Sequence, residues 1–253
     1  MNYLLKLAVE AHGGLGRWNQ LSFVKADVSI TGAIWAIKGQ PDLLKDVQLE
    51  ATLHEQALTM HLLGKNRRNI FTPQRVVIET ESGDTLGTRN DPRASFQGHR
   101  QETPWDDLHV AYFANYALWT YLTIPFLYTY PGFGCEELPR WQEGGEVWRP
   151  LKVSFPDDFP SHTREQVSYF GPDGLLRRHE YTVDIMGGAP GLNYAAKYRN
   201  ADGIMVPTQR RVHAYNEKKE KIPQPVLVAI DIHHIAFGEI SAGRRSSSGN
   251  ESG

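Results

Sequence analysis

The chain has 253 residues, of which 40% are hydrophobic and 11% aromatic, and its formal net charge is −2. This length and composition are typical of one folded domain with a large core. The nearly balanced charge gives no electrostatic reason to expect nucleic acid or an anionic membrane as a partner. The single cysteine, Cys135, excludes an intramolecular disulfide and a cysteine-rich metal site.

The N-terminal residues predict a short amphipathic helix that ends at Gly13 and Gly14. Lys6 and Glu10 interrupt its apolar run, whereas a signal peptide needs an unbroken apolar segment of about 7–15 residues. Without a signal or a lipidated cysteine, we expect a cytoplasmic protein.

Alternating apolar and polar residues predict strands along most of the chain. The first spans residues 23–37, with Gly32 as a bend. The others are 46–53, 56–63, 67–72, 75–79, 85–89, 136–142, 146–155, 164–170, 175–185, 192–198, 205–215 and 226–237. Their connections are hairpin-sized, which favours an antiparallel meander over a parallel sheet with crossover helices.

One helix is predicted over residues 105–122, with Thr103 as its N-cap and Pro104 at its first position. Asp106 and Asp107 suit the positive end of the helix dipole. The helix has almost no polar face, so the rest of the fold must cover it on most sides. It is too short and too polar to span a bilayer, and we expect no membrane insertion.

After this helix, Pro125 and Pro131 predict an extended aromatic loop over residues 124–133, at the mouth of a cavity. The polar segment 241–253 predicts a disordered tail. We therefore expect one domain over residues 1–240. Its predicted fold class is α+β, a large curved antiparallel sheet (a half-open barrel) wrapped around a central aromatic helix.

The sequence contains no dinucleotide, P-loop, metalloprotease or nucleophile-elbow motif, so no cofactor and no metal are expected. A concave sheet face with large aromatic residues suits a hydrophobic small molecule. Side chains from several elements could contact it, although all of them could equally be core. The candidate ligand-binding residues are Trp35, Trp105, Tyr112, Trp119, Phe126, Tyr128, His179 and His213.

An enzyme is the alternative hypothesis: an isomerase, cyclase or dehydratase that uses the same cavity. On the last strand, Asp231 and His233 are predicted to share the inward, otherwise apolar face with Leu227, Ala229, Ile235 and Phe237. A carboxylate can orient an imidazole as a general base. Tyr116 or His109 would be the acid. A purely structural role for the Asp–His pair stays open, and His109 with Asp106 and Asp107 could simply complement the helix dipole rather than bind a metal.

Arginine doublets occur on two predicted strands, as Arg177-Arg178 and Arg210-Arg211. Because neighbours on a strand point to opposite faces, one arginine of each doublet should face inward. An inward arginine paired with Asp184, Glu180 or Asp231 would be structural. An unpaired one could bind a ligand carboxylate.

Three segments carry a resemblance: HGGLGRW (12–18), PWDDLHVAYFANYALWTYLTIPF (104–126) and FPDDFPSHTREQVSYFGPDGLLRRHEYTVD (155–184). Together they resemble a group of bacterial hypothetical proteins. The layout also resembles the half-barrel of the lipoprotein-carrier and outer-membrane lipoprotein-sorting proteins. That resemblance implies a concave hydrophobic pocket closed by helices. The resulting expectation is binding of a small hydrophobic molecule, with no nucleic-acid partner and the oligomeric state left open.

Overall fold

The computed structural model describes residues 2–239, which form one continuous antiparallel sheet and four short α-helices. The sheet is curved and unclosed, as predicted for a half-barrel of the α+β class. Its 14 strands are β1 (Phe23–Thr31), β2 (Val47–Thr52), β3 (Leu58–Leu62), β4 (Arg67–Thr72), β5 (Arg75–Thr80), β6 (Thr85–Asn90), β7 (Gly134–Glu137), β8 (Trp141–Glu143), β9 (Glu146–Ser154), β10 (Glu165–Phe170), β11 (Leu176–Val183), β12 (Ala189–Ala201), β13 (Ile204–His213) and β14 (Val228–Gly238). The helices are α1 (Tyr3–Ala11), α2 (Gly14–Trp18), α3 (Ala33–Ile37) and α4 (Asp107–Thr123).

The first and last strands lie side by side in the middle of the sheet. The order is β6-β5-β4-β3-β2-β1-β14-β13-β12-β11-β10-β9-β7, and β8 pairs with β9 off this path. Two meanders therefore meet at β1 and β14, and every pairing is antiparallel. Helix α4 connects the two edge strands, β6 and β7, so it crosses the concave face from one edge to the other.

The predicted burial of α4 is confirmed, because all residues over 110–123 are buried. The Trp119 indole N–H donates to the carbonyl of Thr52 (2.7 Å), which ties the helix to the end of β2. Full burial of each large side chain contributes about 2–3 kcal/mol relative to exposure. The helix is thus the main contribution to the core from outside the sheet.

The predicted start of α4 was wrong. Asp106, not Thr103, is the N-cap: its carboxylate accepts from the backbone N–H of His109 (2.8 Å) and pairs with Arg89 (2.6 Å). The Thr103 hydroxyl instead accepts from the backbone N–H of Arg100 in the preceding turn (2.9 Å), so it is not available as a cap.

Three other predicted elements differ from the structure. The strand over 23–37 ends at Thr31, and the five residues after Gly32 form α3. The segment 124–133 is not an extended loop at a cavity mouth but contains a buried 3-10 helix, Phe126–Thr129, and Phe126 stacks on Trp18 (ring centroids 4.2 Å apart). The single strand over 136–142 is two short strands, β7 and β8.

Residues 240–253 lie outside the described residues, so the predicted disordered tail stays a prediction, as does the single domain over 1–240. Among the helices of residues 2–239, none is long and apolar enough to cross a membrane.

Gly32 is the point at which β1 turns into α3, and its substitution should destabilise the fold. Its φ is +123°, and a Cβ there would lie 2.4 Å from the carbonyl oxygen of Leu227. We expect Gly32→Ala to lower the free energy of unfolding by about 2 kcal/mol in urea titrations, through backbone strain and overpacking. The matched control is Gly16→Ala in α2, where no heavy atom lies within 4 Å of the added Cβ. That variant should be neutral or more stable by up to about 1 kcal/mol, and equal losses in both variants would contradict the steric explanation.

Candidate functional site

An apolar cleft lies between α4 and the concave face of β11–β14, with a volume of about 50 Å³. Small residues on the helix leave this space open beside larger ones. The helix residues that line it are Phe113, Ala114, Ala117, Leu118 and Tyr121. The other lining residues are Ile30, Ile34, Trp35, Gln101, Tyr181, Val183, Met186, Ala189, Pro190, Gly191, Val212, Leu227, Val228 and Ile230.

The cleft opens onto a broad polar depression, here called the vestibule, formed by residues from 93–102 and 184–190. Four residues line both spaces: Gln101, Met186, Ala189 and Pro190. The vestibule contains Arg93 and Asp184, which form an ion pair across it (3.4 Å). An apolar space that opens into a polar one suits an amphipathic molecule better than a uniformly polar one.

Two residues that line the cleft, Tyr121 and Tyr181, belong to a buried network of aromatic hydroxyls and an imidazole. The hydroxyl of Tyr121 lies 2.6 Å from that of Tyr181 and 2.7 Å from Nε2 of His162. The hydroxyl of Tyr116 lies 3.1 Å from the other ring nitrogen of His162, Nδ1. The imidazole also stacks on the Tyr181 ring (centroids 4.0 Å apart). Both nitrogens of His162 are therefore engaged, which fixes its ring.

His162 lies in the connection between β9 and β10, which is held in place by backbone contacts. The amide of Gln56 donates to the carbonyl of Pro160 (2.9 Å), and Arg93 donates to the carbonyl of Ser161 (2.9 Å). The carbonyl of His162 accepts from the backbone N–H of Asp184 (2.9 Å). Three hydrogen bonds to its backbone thus fix the position of this loop.

Burial changes the acid–base properties of this network. Loss of hydration, together with the nearby Arg93, lowers the pKa of His162 to about 3. The same loss of hydration raises the pKa of Tyr121 to about 12. The network is therefore neutral near pH 7, and its hydroxyls and imidazole act there as hydrogen-bonding groups rather than charges.

Three further polar side chains lie deeper along the same strands and point toward α4. His179 precedes the cleft residue Tyr181 by two positions in β11, and its strand partner is Asn193 in β12. Arg210 in β13 donates to the carbonyl of Tyr121 (2.9 Å) and pairs in register with the cleft residue Ile230. Gly191, the strand partner of Tyr181, leaves room for the tyrosine ring, because a Cβ at residue 191 would lie 2.5 Å from that ring.

The structure brings few of the sequence candidates together. Trp35 lines the cleft, and His179 contacts the cleft residue Tyr181 without lining the cleft itself. Four other aromatic candidates are buried elsewhere: Trp105 packs on Phe96, Tyr112 on Phe71 and Phe126 on Trp18, while Trp119 is hydrogen-bonded to β2. Tyr128 bonds the hydroxyl of Ser168 (2.7 Å), and His213 lies near Tyr194 on the other side of β13 from the cleft residue Val212.

The predicted inward orientation of Asp231 and His233 was wrong. In β14 the buried residues are Ile230 and Ile232, whereas His233 is exposed and Asp231 bonds Arg211 (2.8 Å). A bulge against β1 leaves His233 without a register partner and reverses the alternation, so that Phe237 faces inward again. The predicted Asp–His pair therefore does not meet a tyrosine or histidine in the cleft.

His109 and Tyr116 also lie apart from each other. Nδ1 of His109 accepts from the backbone N–H of Asp106 (3.3 Å), so this imidazole belongs to the helix cap, beside His99 (ring centroids 4.9 Å apart). Within residues 2–239 no group of three or more His, Cys, Asp or Glu side chains could hold a metal ion.

Of the two arginine doublets, Arg210-Arg211 follows the predicted alternation, whereas Arg178 is buried on the face of the sheet opposite to α4. Arg211 pairs with Asp231 (2.8 Å), and its neighbour Arg210 is turned to the interior. Arg178 is buried in ion pairs with Glu143 (2.6 Å) and Glu180 (2.9 Å), which is the structural role considered for an arginine paired with Glu180.

Sequence reasoning missed Tyr121 and His162 as members of this network. Tyr121 lies on the predicted helix, four residues after Ala117, and that spacing indicates that the two share a helix face. His162 lies in a loop, which has no periodicity to indicate its orientation.

Three solved bacterial structures share the fold over nearly the whole chain. A LolA superfamily protein from Nitrosomonas europaea has a TM-score of 0.50 and 11% identity, over 94% of this chain and 93% of that one. A DUF1329 family protein from Desulfovibrio piger has a TM-score of 0.52 and 12% identity, over 95% and 92%. A domain assigned to outer-membrane lipoprotein sorting, from Vibrio parahaemolyticus, has a TM-score of 0.50 and 10% identity, over 96% and 94%.

The sequence itself matches no protein-family model and no curated protein. At these identities the three similarities concern the fold alone. They confirm the expected resemblance to the half-barrel of the lipoprotein-carrier and lipoprotein-sorting proteins.

The burial of His162 predicts that the fold loses stability in mild acid. The folded imidazole, with its pKa lowered to about 3, stays neutral while an unfolded histidine, with its ordinary value of 6.5, takes up a proton. The unfolded state therefore binds more protons below pH 6.5, and stability falls as the pH falls from 6.5 toward 3.

We expect His162→Phe to make this dependence shallower by about 1 kcal/mol per pH unit between pH 6 and pH 5, in urea unfolding at each pH. The absolute stability should fall as well, because Tyr116 and Tyr121 lose a partner. The control is His234→Phe at an exposed position of β14. Equal slopes in the wild type and His162→Phe would contradict the assignment.

Proposed function

We propose that this protein binds a hydrophobic or amphipathic small molecule in the cleft between α4 and the concave face of the sheet. The observation that carries the proposal is the junction of a mainly apolar cleft with a polar vestibule at Gln101, Met186, Ala189 and Pro190. The apolar part of a ligand would lie against Trp35 and the helix, and its burial would contribute about 25 cal/mol per Å² removed from water.

The size of the cleft sets a condition on this function. Ligand pockets for drug-sized molecules usually measure about 300–1,000 Å³, whereas this cleft measures about 50 Å³. A ligand must therefore separate α4 from β13 and β14, or displace the mouth formed by α3 and residues 184–188. The mouth consists of short segments outside the main sheet, which cost less to move than paired strands.

A co-purified small molecule is the first expected result. Native mass spectrometry of the protein from its own host should show a mass above that of the 253-residue chain, and the adduct should be extractable into organic solvent. Finding only the bare chain, both from the host and after incubation with a total lipid extract, would count against binding.

A plug at the mouth should block the cleft without disturbing the core. Ala189 lines both the cleft and the vestibule, and Ala189→Trp would fill the opening. We expect the affinity for a fluorescent hydrophobic probe, anilinonaphthalene sulfonate, to fall at least about tenfold, measured by titration. The matched control is Ala236→Trp, at an exposed position of β14. The site is not in this cleft if both variants bind the probe like the wild type.

A further inference from the structure

Arg210 is a buried cation with no acidic partner among the described residues. Its side chain is buried in the core, and burial lowers the pKa of the guanidinium. Its Nη2 atom donates to the carbonyl of Tyr121, but Nη1 is buried without a hydrogen-bond partner in residues 2–239. The other groups that influence its charge state are tyrosines, which are neutral here.

A buried arginine on the opposite face of the sheet, Arg178, is a useful contrast. Arg178 is equally buried but is held by two carboxylates, those of Glu143 and Glu180. A buried guanidinium normally has such partners, because removing its charge from water is costly unless an anion compensates. Arg210 therefore lacks the compensating carboxylates that Arg178 has.

Unpaired hydrogen-bonding groups surround Arg210. Both ring nitrogens of His179 and both amide atoms of Asn193 are buried without a partner among the side chains and backbone described for this chain. His179 contacts the Tyr121 ring edge-on (6.1 Å between centroids), and the Arg210 guanidinium lies 5.0 Å from the same ring. A cation and up to two neutral donors thus converge on one side of Tyr121.

Tyr121 also borders the cleft. Tyr121, Tyr181 and Ile230 line the cleft. The Tyr121 ring contacts both His179 and Arg210. Tyr181 lies two residues after His179 in β11, and Ile230 pairs with Arg210 across β13 and β14. The Tyr121 ring therefore borders both the cleft and the guanidinium, and a connection between them requires this ring to move.

We propose that Arg210, with His179 and Asn193, binds the carboxylate of a long-chain organic acid whose apolar chain occupies the cleft. This rests on the proposed function and names its ligand class. An ionised carboxylate supplies the negative charge that Arg210 lacks and accepts the hydrogen bonds that the three side chains have free. The acid group is therefore innermost and the tail points to the vestibule.

The test compares dodecanoate with its methyl ester, which has the same chain but no charge. Both compete with the fluorescent probe at pH 7.5 on delipidated protein. We expect the wild type to bind the acid at least about tenfold more tightly than the ester, since hydrogen bonds to charged groups contribute that much. Arg210→Met should remove this preference by weakening the acid alone, and Arg210→Lys should keep part of it.

The matched control is Arg75→Met, which removes an exposed cation of β5 outside the cleft and the vestibule and should leave the preference intact. Arg100→Met removes an exposed cation of the vestibule and tests the reverse orientation of the ligand. Equal affinities for acid and ester in the wild type would overturn the proposal while the proposed function stands, and this comparison needs no variant to fold. Loss of the preference in Arg100→Met rather than Arg210→Met would also overturn it, by placing the acid group outside. Failure of both ligands to bind would instead contradict the proposed function.

Discussion

The structure depends on the burial of one helix that has no polar face. Because every residue over 110–123 is withdrawn from water, α4 needs cover from more directions than a flat sheet provides. A curved sheet supplies that cover, and the chain path supports it: α4 connects β6 to β7, the two edges of the sheet, so the helix must cross the concave face. The placement of β14 beside β1 makes the two meanders one surface rather than two. The cleft is the part of this interface where Ala114 and Ala117 leave the packing incomplete.

Much of the fold could be predicted because strand alternation and helix composition are local properties. The antiparallel meander, the buried helix and the inward Arg210 all follow from a period of two or from burial. The failures arise where local pattern and tertiary structure diverge. The bulge opposite Asp27 and Val28 reverses the alternation within β14, so Asp231 and Phe237 lie on opposite faces although the sequence places them on one. Likewise, five apolar residues after Gly32 continue a strand pattern but form α3, because the backbone at Gly32 turns with a positive φ.

The site was harder to predict than the fold, because its polar part comes from positions without a periodic signal. His162 lies in a loop, and its role follows only from the backbone contacts that hold that loop against Tyr121 and Tyr181. The aromatic candidates were selected by size. Size correlates with burial, and most of them therefore belong to the core, as Trp105 and Trp119 do. What distinguishes the cleft is instead the combination of small helix residues with unpaired polar groups on the facing strands.

The unpaired groups also bear on how a narrow cleft can open. In a fully apolar core, separating α4 from the sheet exposes hydrocarbon to water, and the cost grows with the exposed area. Here the same movement also lets water reach Arg210, His179 and Asn193, whose hydration was lost on folding. The regained hydration offsets part of the cost, so the open state lies closer in free energy to the closed one than the apolar area alone implies. A ligand's apparent affinity is reduced by the fraction of molecules that are not open, and a smaller opening cost therefore means tighter binding without any new contact. Residues that weaken the closed core would in this way strengthen binding.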